Sequence, residues 1–188
     1  MSAYNMARLL VLMLTVSPAV WGDDIDTSIS QGREAYQHGD VSQAIGRLEY
    51  ALQRLRQRNS ERLAMYLPSP LPGWEALGSR AGVPSGAVSS NYSAAEREYY
   101  TQTGLVNVRI EMDSPAIHSV AMLASNPAYA KSTGATVKHL AGYKAVIHYD
   151  CDAKDGDISL LVDNQYLVTV EGDGVSLEEL EAYLTSVG

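Results

Sequence analysis

The ten residues "HYDCDAKDGD", His148 to Asp157, gather four aspartates, a histidine and the single cysteine of the chain. Metal binding and nucleophilic attack are the two chemistries such a set suggests. A calcium loop takes oxygens from alternating positions and closes on a bidentate glutamate. Asp150, Asp152 and Asp155 approach that pattern, but Lys154 occupies the fifth position, Gly156 comes one residue late, and no glutamate closes the loop. For a transition metal the candidates are His148 and Cys151, which an extended strand would point to opposite faces. Zinc asks for four ligands, or three and a water, and the chain has no CxxC or HExxH; His118 and His139 could join only by an accident of tertiary folding. As a thiol dyad the same two residues are poorly served, because Asp150 and Asp152 put negative charge on both sides of the sulfur. The stretch is therefore expected to be a polar hairpin turn, with Asp155 and Gly156 supplying the bend. No metal or cofactor is assigned to it.

Other catalytic patterns are missing too. There is no G-x-S-x-G, and "GSRAG" at Gly78–Gly82 sits in a Gly- and Ser-rich stretch. "EGDG" has two glycines between a strand and a helix, but Glu171 and Asp173 would repel a phosphate. With no catalytic set, the chain reads as a binding protein rather than an enzyme.

The elements that would position any site fall into two parts. From residue 23 to 67 the apolar residues recur with helical period. Gly32, Ala35 and Tyr36 lie on one helix, Gly39 and Asp40 make a turn, and Ala44, Ile45, Leu48, Ala51, Leu52 and Leu55 form the stripe of a second helix. That helix is expected to continue toward Leu63, Tyr66 and Leu67. Arg54, Arg58 and Arg62, four apart, form a basic ridge along it. The pair resembles one tetratricopeptide unit at Gly32, Tyr36, Gly39, Ala44, Leu48 and Ala51. Such units need neighbours to bury their apolar faces, and no second copy follows. Tyr36, Leu48 and the three arginines are thus the candidate partner-binding residues.

"YLPSPLPGW" stops the helix at Pro68, Pro70 and Pro72 and is expected to be a stiff joint, with Leu71 and Trp74 anchoring the following domain. Residues 78–96 are expected to be a flexible loop. Residues 68–188 otherwise read as an α+β domain. "LVNVRIEM" alternates as a strand with one buried face, paired with a strand holding Tyr99 and Tyr100. "DSPAIHSVAMLASNP" is a helix ending at Asn126 and Pro127. Strands follow at 136–140, 143–149, 158–162 and 166–171, with Asp163 and Asn164 in a tight turn. Ser176 and Glu179 form a capping box for a final helix.

The start, "MSAYNMARLLVLMLTVSPAVWGDD", has one arginine, an apolar run from Leu9 to Val16, then Ser17, Pro18 and small residues. This is the layout of a signal peptide over residues 1–22, cleaved after Gly22, with no cysteine to carry a lipid. No stretch is long and apolar enough for a membrane span. Cleavage removes Arg8 and no acid, moving the formal net charge from -8 to -9, which disfavours nucleic acid as a partner. Cys151 alone forms no internal disulfide; it stays free or pairs two chains.

"LPSPLPGWEA", "DSPAIHSVAMLASNP" and "VDNQYLVTVEGDGVSLEELEAYL" resemble segments of a family of uncharacterised exported bacterial proteins, over almost the whole mature chain. The resemblance implies a periplasmic or secreted protein with this architecture and contributes no site. The order of strands, helix, strands and terminal helix is also similar to the Mog1/PsbP-like fold, whose members bind partners. The expectation is an exported, non-catalytic binding or adaptor protein of the cell envelope with a protein partner. The alternatives are a carrier of a small apolar ligand held beside Met122 and Leu123, and an enzyme using Cys151 and His148. N-terminal sequencing of the chain recovered from the periplasm of an exporting host is expected to begin at Asp23; a start at Met1 contradicts export.

Overall fold

A glycine sets how closely the first two helices pack. A side chain at Gly32 in α1 (Asp24–Gln37) would lie 3.0 Å from Leu48 Cγ and 3.4 Å from the Ala44 carbonyl oxygen of α2 (Val41–Leu63). The computed structural model describes residues 24–82 and 91–188. The expected signal peptide and residues 83–90 of the expected loop lie outside the described residues. Gly39 turns the chain at φ 81°, a left-handed geometry that suits glycine, and Asp40 Oδ1 accepts the Gln43 N–H at 3.0 Å as an N-cap. The Tyr50 hydroxyl donates to Asp24 Oδ2 at 3.1 Å. Ile25, Gly32, Ala35, Ala44 and Ala51 are buried. The expected stripe of α2 is therefore only half right, because Ile45, Leu48, Leu52 and Leu55 are exposed and only its alanines are enclosed.

The chain divides into two compact units between Ala51 and Leu52, inside α2. It does not divide at the proline-rich segment. The second half of α2 packs within the C-terminal unit, as Ser60 shows. This poor helix former is buried, donates to the Arg56 carbonyl at 3.0 Å and accepts the Ala94 N–H at 3.1 Å. A 3₁₀ turn, Ala64–Tyr66, ends the helix, and Leu63 and Leu67 enter the core.

That unit is built on an eight-stranded antiparallel sheet among the described residues. Its strands are β1 (Glu75–Ala76), β2 (Arg80–Ala81), β3 (Ser93–Tyr100), β4 (Leu105–Met112), β5 (Thr136–Leu140), β6 (Tyr143–Asp150), β7 (Asp155–Val162) and β8 (Tyr166–Asp173). They lie in the order β1-β3-β4-β8-β7-β6-β5, with β2 also paired to β3. The fold is thus α+β. The stretch 78–96, expected to be loop throughout, holds β2 and the first residues of β3. Short β1 and β2 lack the alternation that would announce them.

Because side chains alternate across a strand, each face has its own core. One face presents Val106, Val108, Ile110, Ile158, Leu160, Val168 and Val170 to α5 (Leu177–Thr185), which contributes Leu180, Tyr183 and Leu184. The predicted Ser176–Glu179 capping box starts α5. The other face carries Val146 and Leu167 against Ile117, Val120 and Ala124 of α3 (Ala116–Ser125) and Ala130 of α4 (Pro127–Ser132). Asn126 ends α3 as expected, then caps α4 by accepting the Tyr129 N–H. Glu111, expected on the solvated side of β4, is buried there beside Leu167. Asp163 and Asn164 turn β7 into β8 at φ 51° and 54°.

The chain has twelve tyrosines and no phenylalanine, so every phenyl ring in the core brings a hydroxyl that needs a partner. Tyr99, fully buried, donates to the Pro68 carbonyl at 2.7 Å, and Arg97 Nη1 donates to the same oxygen at 3.0 Å. Tyr183, also fully buried, accepts the Leu71 N–H at 3.4 Å. Its ring lies 4.5 Å from Tyr99 and meets Trp74 edge-on at 5.3 Å. The proline segment is thereby fixed to the sheet's own core instead of serving as a joint, with Leu71 and Trp74 as its expected anchors.

Burial pushes the Tyr183 hydroxyl from 10 up to about 12. The folded state holds this proton more tightly than the unfolded chain, so the contribution is complete below pH 10 and is lost as pH rises toward 12. Tyr183→Phe, which leaves the Leu71 N–H unpaired, is expected to cost about 1 kcal/mol near neutrality. It should also lose less stability than the wild type between pH 10 and 12. Tyr183→Ala is expected to cost about 3–5 kcal/mol. Urea titrations across that range check both; equal stability of wild type and Tyr183→Phe at every pH contradicts them.

Candidate functional site

The aspartate-rich loop resolves into an ordinary β-turn with paired neighbours. Residues 151–154 form the turn, with Lys154 at φ 56°, and Asp150 Oδ1 accepts the N–H groups of Asp152 and Ala153 at 2.9 and 3.1 Å. Asp155 and Gly156 do not supply the bend as expected; they lie in β7, opposite Asp150 and Tyr149. Gly156 is needed for close approach, since a side chain there would run into the His148 carbonyl oxygen. Cys151 is exposed in the turn.

His148 turns to Asp157 on the neighbouring strand, with Nδ1 3.6 Å from Oδ1, and Asp157 Oδ2 accepts the Ser159 hydroxyl at 3.3 Å. The two sit in a row that crosses the sheet through Glu98, Asn107, Glu171, Asp157 and His148. Alongside run Glu96 and Arg109, where Arg109 Nε pairs with Glu96 Oε2 at 3.2 Å and Arg80 bridges Glu96 and Glu98 at 2.9 and 2.6 Å. This is a charged sheet face with mutual pairing. Among the described residues no group of three or more His, Cys, Asp or Glu side chains is placed to hold a metal ion. His118 belongs to α3 and His139 to β5, opposite Lys144.

The binding candidates are placed differently. Tyr36 and Leu48 meet across a groove of about 350 Å³ on the hairpin, lined also by Ile29, Gly32, Val41 and Ile45. Tyr36 is 69 % exposed and Leu48 47 %. The three arginines are all exposed on α2, where Arg54 and Arg58 each have interactions within the chain and Arg62 stands beside a cleft in the C-terminal unit.

That cleft, of about 560 Å³, lies on the sheet face covered by α5, where Ile110, Met112 and Val168 form its floor and Leu63 and Val162 its walls. Asn59, Arg62 and Tyr66 stand at its edge. This apolar cleft lies on the face opposite the one expected; on the α3 side Leu123 packs against the buried cluster, Met122 is exposed, and a space of about 410 Å³ at the edge of α3 is lined largely by polar residues such as Ser125, His139, Lys144 and Asp163. No local motif announces this cleft. Its lining comes from α2, four strands and the residues after α5; only the tyrosines and valines at alternate strand positions hint at which face it occupies.

Burial raises the Asp157 carboxyl above its ordinary 3.8, with the nearby His148 opposing the shift. The raised folded value means that the contribution of Asp157 to stability is present below pH 3.8 and is lost as pH rises through the folded value. Asp157→Asn is expected to flatten this loss, measured by denaturant titration from pH 3.8 to neutrality. An unchanged pH profile contradicts the burial effect.

No family model matches the chain, and the curated proteins and the solved structures yield no similar one.

Proposed function

We propose that the protein is an exported, non-catalytic binding protein of the bacterial cell envelope, and that its helical hairpin receives an amphipathic helix of a partner protein. The observation that carries this reading is the exposed apolar groove of Ile29, Tyr36, Val41, Ile45 and Leu48 on a lone helix pair. In tetratricopeptide arrays the corresponding helices stack on those of the next repeat. A single unit leaves that stacking surface vacant, and another helix with apolar residues at three- and four-residue steps fits it best. The close approach at Gly32 supports the likeness, because a small residue there lets α1 and α2 meet in the manner of such a unit.

The non-catalytic part of the reading is supported by the surroundings of the reactive candidates. His148 faces Asp157 rather than serving Cys151, and the thiol lies between two aspartates. The signal-like start and the resemblance to exported proteins motivate the compartment. In the envelope, burial of the groove by a partner helix would bring about 25 cal/mol for each Å² of apolar surface covered.

A photo-crosslinking residue at position 45 is expected to join a discrete protein in intact cells, with the adduct mapping to one helical segment of it. Leu48→Asp should abolish the adduct at a cost of about 1–2 kcal/mol in stability, since the half-covered side chain also rests against Gly32. A chain that stays uncrosslinked, or an adduct that survives Leu48→Asp, contradicts the proposal.

A further inference from the structure

The cleft beside Arg62 brings three properties together. It is apolar inside, it has a cation at its edge, and no Asp or Glu lines it. The last property stands out in a chain with 22 acidic residues and a formal net charge of -8. Its volume of about 560 Å³ falls within the range of small-molecule sites, about 300–1,000 Å³.

We propose that this cleft binds a single-chain amphiphile with an anionic head, a free fatty carboxylate. The chain would lie over Ile110, Met112 and Val168, and the carboxylate would meet the Arg62 guanidinium. Arg62 is exposed and makes no ion pair among the described residues, so a ligand carboxylate displaces no internal partner. A guanidinium offers a fork of donors that matches a carboxylate in plane, and Asn59 and the Tyr66 phenol stand near it as further donors. The residues on the floor are held by register: Ile110 is paired with Val168, and Met112 with Tyr166, so the apolar bed is part of the sheet. Length selectivity follows from the lining. Each further methylene that is buried should strengthen binding about fourfold until the cleft is full. The site lies wholly in the C-terminal unit and is independent of the hairpin groove.

The test uses the purified protein and a dansyl-labelled undecanoic acid as the fluorescent probe, displaced by octanoate, decanoate, dodecanoate, dodecanol and dodecylamine. Affinity is expected to rise along the three carboxylates, and dodecanoate should exceed both the alcohol and the amine by about three- to tenfold. Arg62→Gln, an exposed substitution that leaves the fold intact, should erase the preference for carboxylate and leave dodecanol unchanged. Val162→Trp should fill the cleft and remove binding of all three head groups. The proposal is overturned if the probe does not bind, if amine or alcohol competes as well as carboxylate, or if Arg62→Gln keeps the preference. Probe binding that disappears on Leu48→Asp would place the ligand in the hairpin instead, and would also overturn it.

Discussion

Buried phenol hydroxyls set the terms for the C-terminal unit. A polar group removed from water must find a partner, and in this chain every core ring of phenylalanine size carries one. The partners are backbone groups in segments that have no ladder or helix to satisfy them. Tyr99 takes the carbonyl of Pro68, Tyr183 takes the N–H of Leu71, and Tyr149 donates to the carbonyl of Val175 at 2.7 Å in the turn before α5. Proline has no N–H to give and restricts its predecessor, so the segment from Pro68 to Trp74 has few ways of fixing itself. The tyrosines do it from inside the sheet. The Tyr183 ring also lies against Tyr99 and meets Trp74 edge-on, so the same side chains supply apolar burial and polar closure together.

Fixing that segment has consequences for the surfaces that bind. The second half of α2 and the 3₁₀ turn enter the proline segment directly, and Ser60 holds the helix to the first residues of β3. This places Leu63 over the sheet and leaves Arg62 at the lip of the cleft. The hairpin obeys a different rule. Its two helices enclose mostly small residues, Gly32, Ala35, Ala44 and Ala51, and small residues let backbones come close but bury little area. The larger apolar side chains are pushed outward, which is why the hairpin presents a groove.

Much of the fold could be read from the residues alone because strong local signals agreed with tertiary context. The alternation of β4, the Asp163–Asn164 turn and the Ser176–Glu179 box each state a local geometry, and each is present. Readings that depended on distant partners fared worse. Ser60, a poor helix former inside α2, is a cross-link to a strand. Glu111 looked solvated and is buried beside Leu167. The proline run looked like a joint because nothing in it reveals Tyr99 and Tyr183 more than twenty residues away. At the aspartate-rich turn, composition drew attention to chemistry where geometry supplies a hairpin, with Gly156 present for backbone clearance. The cleft had no local signature at all, since its lining is assembled from separate strands and helices. Likewise, helical period identified α2's apolar stripe but could not say which of its members face outward.

The account rests on the groove between Ile29, Tyr36, Val41, Ile45 and Leu48 being a surface that another helix occupies. Hydrogen–deuterium exchange over residues 24–51, comparing the isolated protein with the same protein in its native envelope extract, addresses this most directly. The account predicts that amides of α1 and the first half of α2 gain protection in the extract while those of β4 and β8 keep theirs unchanged. Identical exchange of the hairpin in both settings would contradict it.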